Sequence, residues 1–168
     1  TNAVFEERIA ELEGGVAALG LASGQGASAY AIQNLCSNGD NFVASSHLYG
    51  GTYNQFKNPF SDMGIEVRFV DPSDPQNFLD ATDDKTRAYY GEVLPNPSFE
   101  VFPLQEVADL GRPLGIPLIV DNTAAPLICR PFDNGAAIII HSATKYIGGH
   151  GTSIGGVIVD GGNFDWEA

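Results

Sequence analysis

Two apolar segments in the last third of the chain each run into side chains that can do chemistry. Residues 117–120 lead into Asp121-Asn122-Thr123, and residues 136–140 lead into His141-Ser142-Ala143-Thr144-Lys145. A lysine amine condenses with an aldehyde as a Schiff base, and a carboxylate keeps a pyridine nitrogen protonated so that the ring can accept electrons from a substrate carbanion. One acid and one lysine on consecutive apolar segments therefore meet the needs of a pyridoxal-phosphate site. A lone lysine is ordinarily a solvated charge, and an acid after a strand is ordinarily a turn or cap residue. The apolar runs shift that reading, because a carboxylate beside a buried strand is costly without a partner and burial favours the neutral amine that a Schiff-base lysine needs. Lys145 is accordingly expected among apolar or cationic neighbours.

A phosphate would need donors as well. Gly24-Gln25-Gly26-Ala27-Ser28-Ala29 follows the apolar run 16–22 and has the G-x-G-x-x-A form of a dinucleotide fingerprint. Backbone N–H groups at such a helix start hold the phosphate of a dinucleotide, a mononucleotide or pyridoxal phosphate alike. A packing turn with no ligand has the same sequence. A nicotinamide site would want an acid about 20 residues on, ending the next strand, where this chain has Ser45-Ser46-His47. Ser142-Ala143-Thr144-Lys145 also matches the S-x-x-K of serine acyl-transferases, which require S-D-N and K-T-G elements too. Only Ser61-Asp62-Met63 approaches the first of these, and it lies upstream. His47, His141, His150, Cys36 and Cys129 show no metal-ligand spacing, so no metal is expected.

The elements that must position these residues alternate along the chain. Phe5, Ile9 and Leu12 share one helical face, with Glu6, Glu7, Glu11 and Glu13 off it, ahead of Gly14-Gly15; this predicts an amphipathic helix over 4–13. Strand, glycine turn and helix follow, the helix carrying Ala27, Tyr30, Ala31 and Leu35 as far as Asn38-Gly39. Runs at 42–45, 65–70, 87–93, 116–120 and 136–140 are short, rich in Val and Ile and not alternating, as strands covered on both faces are. Helical stretches are predicted near 50–62, 75–82 and 103–111, and a further strand-like run lies near 155–162. The order is that of an α/β domain with a mostly parallel sheet, whose ligands bind outside the carboxyl ends of the strands. Asp121 and the segment 142–145 fall at two such ends.

Composition bounds the rest. The 168 residues, 43% of them hydrophobic, suffice for one sizeable core, and one domain is expected. Eight basic against 21 acidic residues give a net charge of −13, which disfavours a nucleic-acid or anionic membrane partner. Two cysteines outside any C-x-x-C pair favour a reducing compartment. With no apolar run near the roughly 20 residues of a membrane span and no signal peptide ahead of the first helix, a cytoplasmic protein is expected. The chain opens at Thr1 without a Met and stops at Trp166-Glu167-Ala168; a piece of a longer protein is expected.

The runs Phe5-Glu6-Glu7-Arg8-Ile9-Ala10-Glu11-Leu12-Glu13-Gly14, Ser23-Gly24-Gln25, Leu48-Tyr49-Gly50-Gly51-Thr52, Asn96-Pro97, Val120-Asp121-Asn122-Thr123 and Ser142-Ala143-Thr144-Lys145-Tyr146-Ile147-Gly148-Gly149-His150-Gly151 resemble the Cys/Met-metabolism family of pyridoxal-phosphate enzymes, in order and spacing. The tail Gly155–Gly162 with Phe164-Asp165-Trp166 is most similar to the O-acetylhomoserine sulfhydrylase branch. The resemblance implies the three-layer, fold-type I (aspartate aminotransferase-like) large domain over residues 1–168, without an N-terminal segment and a C-terminal domain. It implies Lys145 as the Schiff-base lysine and Asp121 as the partner of the pyridine nitrogen, with Thr123 beside it. Ser23, Gly24, Gln25, Ser142 and Thr144 would bind the cofactor phosphate, Tyr49 would stack on the ring and assist proton transfer, and Asn96 would hydrogen-bond the phenolic oxygen. The implied reaction is γ-replacement on O-acetylhomoserine by sulfide or a small thiol, in a homo-oligomer, a dimer of dimers with shared active sites. Sister activities of the family, cystathionine γ-synthase and γ-lyase and methionine γ-lyase, use the same core. A dinucleotide-binding domain and a catalytically silent fragment are the readings from other classes.

Overall fold

The computed structural model describes residues 1–167. Seven strands form one sheet in the order β1-β7-β6-β5-β4-β2-β3: β1 (Ala17–Leu21), β2 (Asn41–Ser45), β3 (Glu66–Val70), β4 (Thr86–Glu92), β5 (Leu118–Asp121), β6 (Ile138–Ser142) and β7 (Gly156–Asp160). The pairs β2/β3, β2/β4, β4/β5 and β5/β6 are parallel. The predicted parallel sheet thus forms, with one addition: β7 runs antiparallel between β1 and β6. β2 is buried at every position while the edge strands β1 and β3 stay half-exposed, which is why the central runs read as continuous apolar segments rather than alternating ones.

Helices α1 (Asn2–Glu13), α2 (Gly24–Leu35), α3 (Gly50–Gln55), α4 (Gln76–Asp80) and α5 (Leu104–Gly111) connect them. The helix expected over 50–62 is α3 continued by a π-helical turn, Phe56–Phe60, with Pro59 inside it; proline has no N–H to keep the regular ladder. Two layers of helix cover the sheet. On one face Ala31 and Ile32 of α2 and Phe56 of the π turn pack with Phe42, Tyr90 and Ile140 of the sheet. On the other, Val107 and Ala108 of α5 meet Tyr89, Leu118 and Val120, and Ile9 and Ala10 of α1 meet Ile139, Val157 and Val159.

α1 departs from its predicted face. Leu12 is 46% exposed, while Glu13 is buried and its Oε1 lies 2.7 Å from Nε2 of the fully buried His141. The polar pair takes a core place because each supplies the other's hydrogen-bond partner, which a face drawn from hydrophobicity alone leaves out.

The turn at Gly24 is not part of a dinucleotide-binding βαβ unit. In such a unit the helix returns to a neighbouring parallel strand, whereas α2 leads from β1 at one end of the sheet to β2, separated from it by four strands.

Candidate active site

Sheet register explains why residues far apart in sequence point the same way. Glu92 of β4 pairs with Asp121 of β5, and Asp121 with Ile140 of β6. Register partners share a face and side chains alternate along a strand, so Glu92, Asp121 and Ser142 all lie on the face that α2 covers, at the carboxyl ends of three adjacent strands.

The N-terminus of α2 abuts that edge. Ser23 caps the helix, its Oγ accepting the N–H of Gly26 at 3.0 Å. The first N–H groups of a helix have no intrahelical acceptor, and with that of Gly26 taken, those of Gly24 and Gln25 are left to an external one. Gly24 is buried, and a Cβ there would stand 2.6 Å from the Cβ of Ser142. Glycine is what lets the helix start approach β6 so closely. Gln25 ties this turn to α3: its Nε2 donates to Thr52 Oγ1 at 3.0 Å, and Gln55 Nε2 donates to its carbonyl at 3.0 Å. Thr144 is held in the loop after β6, where its hydroxyl accepts from the N–H of Gly155 at 3.1 Å.

Asp121 is braced by Thr123. The Thr123 N–H donates to Asp121 Oδ1 at 2.8 Å, and the Thr123 hydroxyl accepts the N–H of Ser142 at 2.7 Å, joining the ends of β5 and β6. Burial raises the pKa of Asp121, against the bonds from Thr123 and the field of His141. A positive group placed beside this carboxylate would offset that desolvation.

Glu92 is a member of the cluster that the sequence did not announce. It is buried, and its Oε1 accepts the backbone N–H of Tyr49 at 2.8 Å. Burial, with Asp121 next to it, pushes its pKa up to about 8, although the N–H groups of Tyr49 and Asn96 favour its charged form. Only Glu92's place at a strand end could have singled it out in the sequence, since its partner lies 43 positions away.

Tyr49 sits at the start of α3, half-exposed, with its ring against the backbone of Gly51, where a Cβ would come within 2.5 Å of the ring. Asn96 is exposed in the turn after β4. Lys145 lies in the turn that follows β6, its N–H donating to the Ser142 carbonyl at 3.2 Å and its carbonyl accepting from Gly149 at 2.8 Å. Its side chain is exposed rather than walled by apolar groups, contrary to expectation; three residues past the strand end, the turn has already left the sheet. A groove of about 570 Å³ opens nearby, lined by Phe5, Leu21, Tyr30, Ala143 and Gly155 among others, but Asp121, Tyr49 and Lys145 take no part in it. Among the described residues, no cluster of three His, Cys, Asp or Glu side chains could hold a metal ion.

Free N–H groups at a helix start and a braced acid meet at the carboxyl edge of one mostly parallel sheet, with a lysine in the turn just beyond it; the class is an α/β domain with its candidate ligand site at the strand ends. The chain belongs to the Cys/Met metabolism PLP-dependent enzyme family, whose model matches residues 1–168. It is 52% identical to the O-acetyl-L-homoserine sulfhydrylase of Leptospira meyeri over 167 residues, 99% of this chain and 38% of that protein. It is also 52% identical to the homocysteine/cysteine synthase of Saccharomyces cerevisiae, again over 99% of this chain and 38% of the relative. The fold superposes with a TM-score of 0.92 on a Campylobacter jejuni structure assigned as an O-acetylhomoserine (thiol)-lyase and carrying a pyridoxyl-lysine phosphate group. Identity there is 34%, covering 94% of this chain and 39% of that one. The O-acetylhomoserine sulfhydrylase of Wolinella succinogenes gives 0.88 at 38% identity, over 96% and 46%. The fold is thus that of the fold-type I large domain. The chain spans less than half the length of these relatives.

Proposed function

We propose that this chain is the cofactor-binding large domain of a cytoplasmic pyridoxal-phosphate enzyme that replaces the acetate of O-acetylhomoserine with sulfide or a small thiol, giving homocysteine or methionine. The observation that carries the reading is the convergence of Gly24, Asp121 and Ser142 on one sheet edge, in a chain half-identical to an O-acetyl-L-homoserine sulfhydrylase.

The residues present fit the cofactor. The close approach of Gly24 to Ser142 supports a phosphate site made of the free helix N–H groups and the Ser142 hydroxyl; Thr144, its hydroxyl bonded to Gly155, would join them by turning toward the ligand. Ser23 and Gln25 hold that turn in place. Asp121, raised in pKa by burial, would receive the ring nitrogen, with Thr123 fixing its orientation. Tyr49 would lie over the ring, Asn96 would donate to its phenolic oxygen, and Lys145 would anchor the aldehyde. When bound, the cofactor supplies an electron sink for the carbanions of the substrate.

The chain's own groups would do the rest. Lys145 Nζ, once free, would take the proton from the substrate α-carbon, hand it on, and only then take one from the β-carbon, so that acetate can leave the γ-carbon; after the thiol adds there, the same amine would return the protons. Its exposed place in the turn after β6 gives it reach along one side of the substrate. The Tyr49 hydroxyl is the second group available for proton transfer. The partners proposed are small molecules and further copies of the chain. Exposed apolar side chains in the loops around the site edge, Val101, Ile128, Tyr146 and Ile154, are surface that a dimer of dimers with shared sites would cover.

The test is to assay acetate release by the purified full-length protein with O-acetylhomoserine and sulfide, methanethiol or cysteine in competition. Preference for sulfide or methanethiol supports the reading, and preference for cysteine would overturn it. Tyr49→Phe is expected to lower turnover at least about tenfold if the hydroxyl moves a proton; unaltered turnover would restrict Tyr49 to stacking.

A further inference from the structure

The carboxylate of Glu92 has no part in the chemistry set out above, yet it sits at the centre of the site's framework. It is 6% exposed at the end of β4. It accepts the N–H of Tyr49, the residue that starts α3, and the N–H of Asn96 in the following turn also favours its charge. α3 has no side-chain cap of its own at Tyr49. The segments carrying Tyr49 and Asn96 follow the neighbouring parallel strands β2 and β4, and both residues are open to solvent.

Buried acceptors are seldom left without work. The backbone donor of an exposed loop residue, bonded to a buried carboxylate, fixes that loop against the rigid end of a central strand. The absent side chain of Gly51 leaves the room that the Tyr49 ring occupies.

We propose that Glu92 is a positioning residue of this site, a buried hydrogen-bond acceptor that holds Tyr49 in register with Asp121. The proposal rests on the pyridoxal-phosphate reading for its consequence, but the positioning itself is a property of the protein alone. Acceptance of the Tyr49 N–H, rather than filled space, is the active ingredient.

Two variants separate these. Glu92→Gln keeps an oxygen acceptor of the same reach; Glu92→Met keeps the volume and removes it. In the full-length protein freed of cofactor, amide hydrogen exchange at Tyr49 is expected to quicken by about tenfold or more in Glu92→Met and to stay within about threefold of wild type in Glu92→Gln, the scale of a donor left without its buried acceptor. On addition of pyridoxal phosphate, Glu92→Met is expected to lose about tenfold or more in affinity and to show a weakened visible circular dichroism band, while Glu92→Gln retains both. Equal behaviour of Met and Gln would overturn the proposal, because packing would then suffice. Equal failure of both would overturn it too, because the charge would then be what counts. Failure of wild type to take up the cofactor would sink the pyridoxal-phosphate reading instead, and the exchange result would still decide whether Glu92 positions Tyr49.

Discussion

At the level of single residues, ionisation is where burial speaks most clearly. Glu92 keeps its proton up to about pH 8 in the fold, whereas a glutamate in the unfolded chain loses it near its ordinary 4.5. Between those values the folded state binds the proton that the unfolded state has released, so stability falls as pH rises. The contribution is fully present below the lower value and lost through the upper one. Urea unfolding of the cofactor-free protein is therefore expected to show stability declining from about pH 5 to pH 8, with a shallower decline in Glu92→Gln. Asp121, shifted in the same direction, keeps the slope from vanishing. Cys36 makes a parallel case: burial, helped by Asp40, pushes its thiol up to about 12. Thiol titration at neutral pH should leave Cys36 unmodified until denaturant is added. The places of Asp121 and Ser142 at strand ends were legible in the sequence because each closely follows an apolar run, whereas the exposure of Lys145 was not, because the turn leaves the sheet before reaching it. Glu92 was not, because its role depends on an N–H donor 43 positions distant and on desolvation, neither of which a local pattern records.

Among the elements, the join between α1 and the sheet illustrates how a polar pair can be hidden in an amphipathic pattern. Glu13 and His141 are both buried, 2.7 Å apart, and each still has a buried atom without a partner, Glu13 Oε2 and His141 Nδ1. Removing one member strands the other, so His141→Leu is expected to cost about 3–5 kcal/mol in urea unfolding. The double change Glu13→Leu with His141→Leu should cost less than His141→Leu alone, since it leaves no polar group stranded. The start of α2 gives the opposite sort of constraint. A methyl at Gly24 would press on the Cβ and Cα of Ser142 at 2.6 and 2.8 Å, and backbone cannot yield as a flexible side chain would. Gly24→Ala is expected to destabilise by about 1–3 kcal/mol and to weaken phosphate binding measured with inorganic phosphate. The helices and most strands were readable from periodicity and turn residues. The antiparallel insertion of β7 was not, since a strand's direction is set by partners and not by its own sequence.

For the molecule as a whole, topology turns scattered motifs into one place. The chain runs from β1 at one end of the sheet across to β2 and β3 at the other, then returns through β4, β5 and β6. That path brings the carboxyl ends of β4, β5 and β6 side by side and lays the N-terminus of α2 against the last of them. The Gly24 fingerprint read equally as dinucleotide or pyridoxal phosphate because a helix start offers the same N–H groups to either; strand order separates them. Charge acts at this scale too: a net −13 favours solubility and repels polyanions. The most direct test of the whole reading is covalent. The purified full-length protein, loaded with pyridoxal phosphate, reduced with borohydride and digested, should carry the pyridoxyl group on Lys145. A label on another lysine, or none, would contradict it.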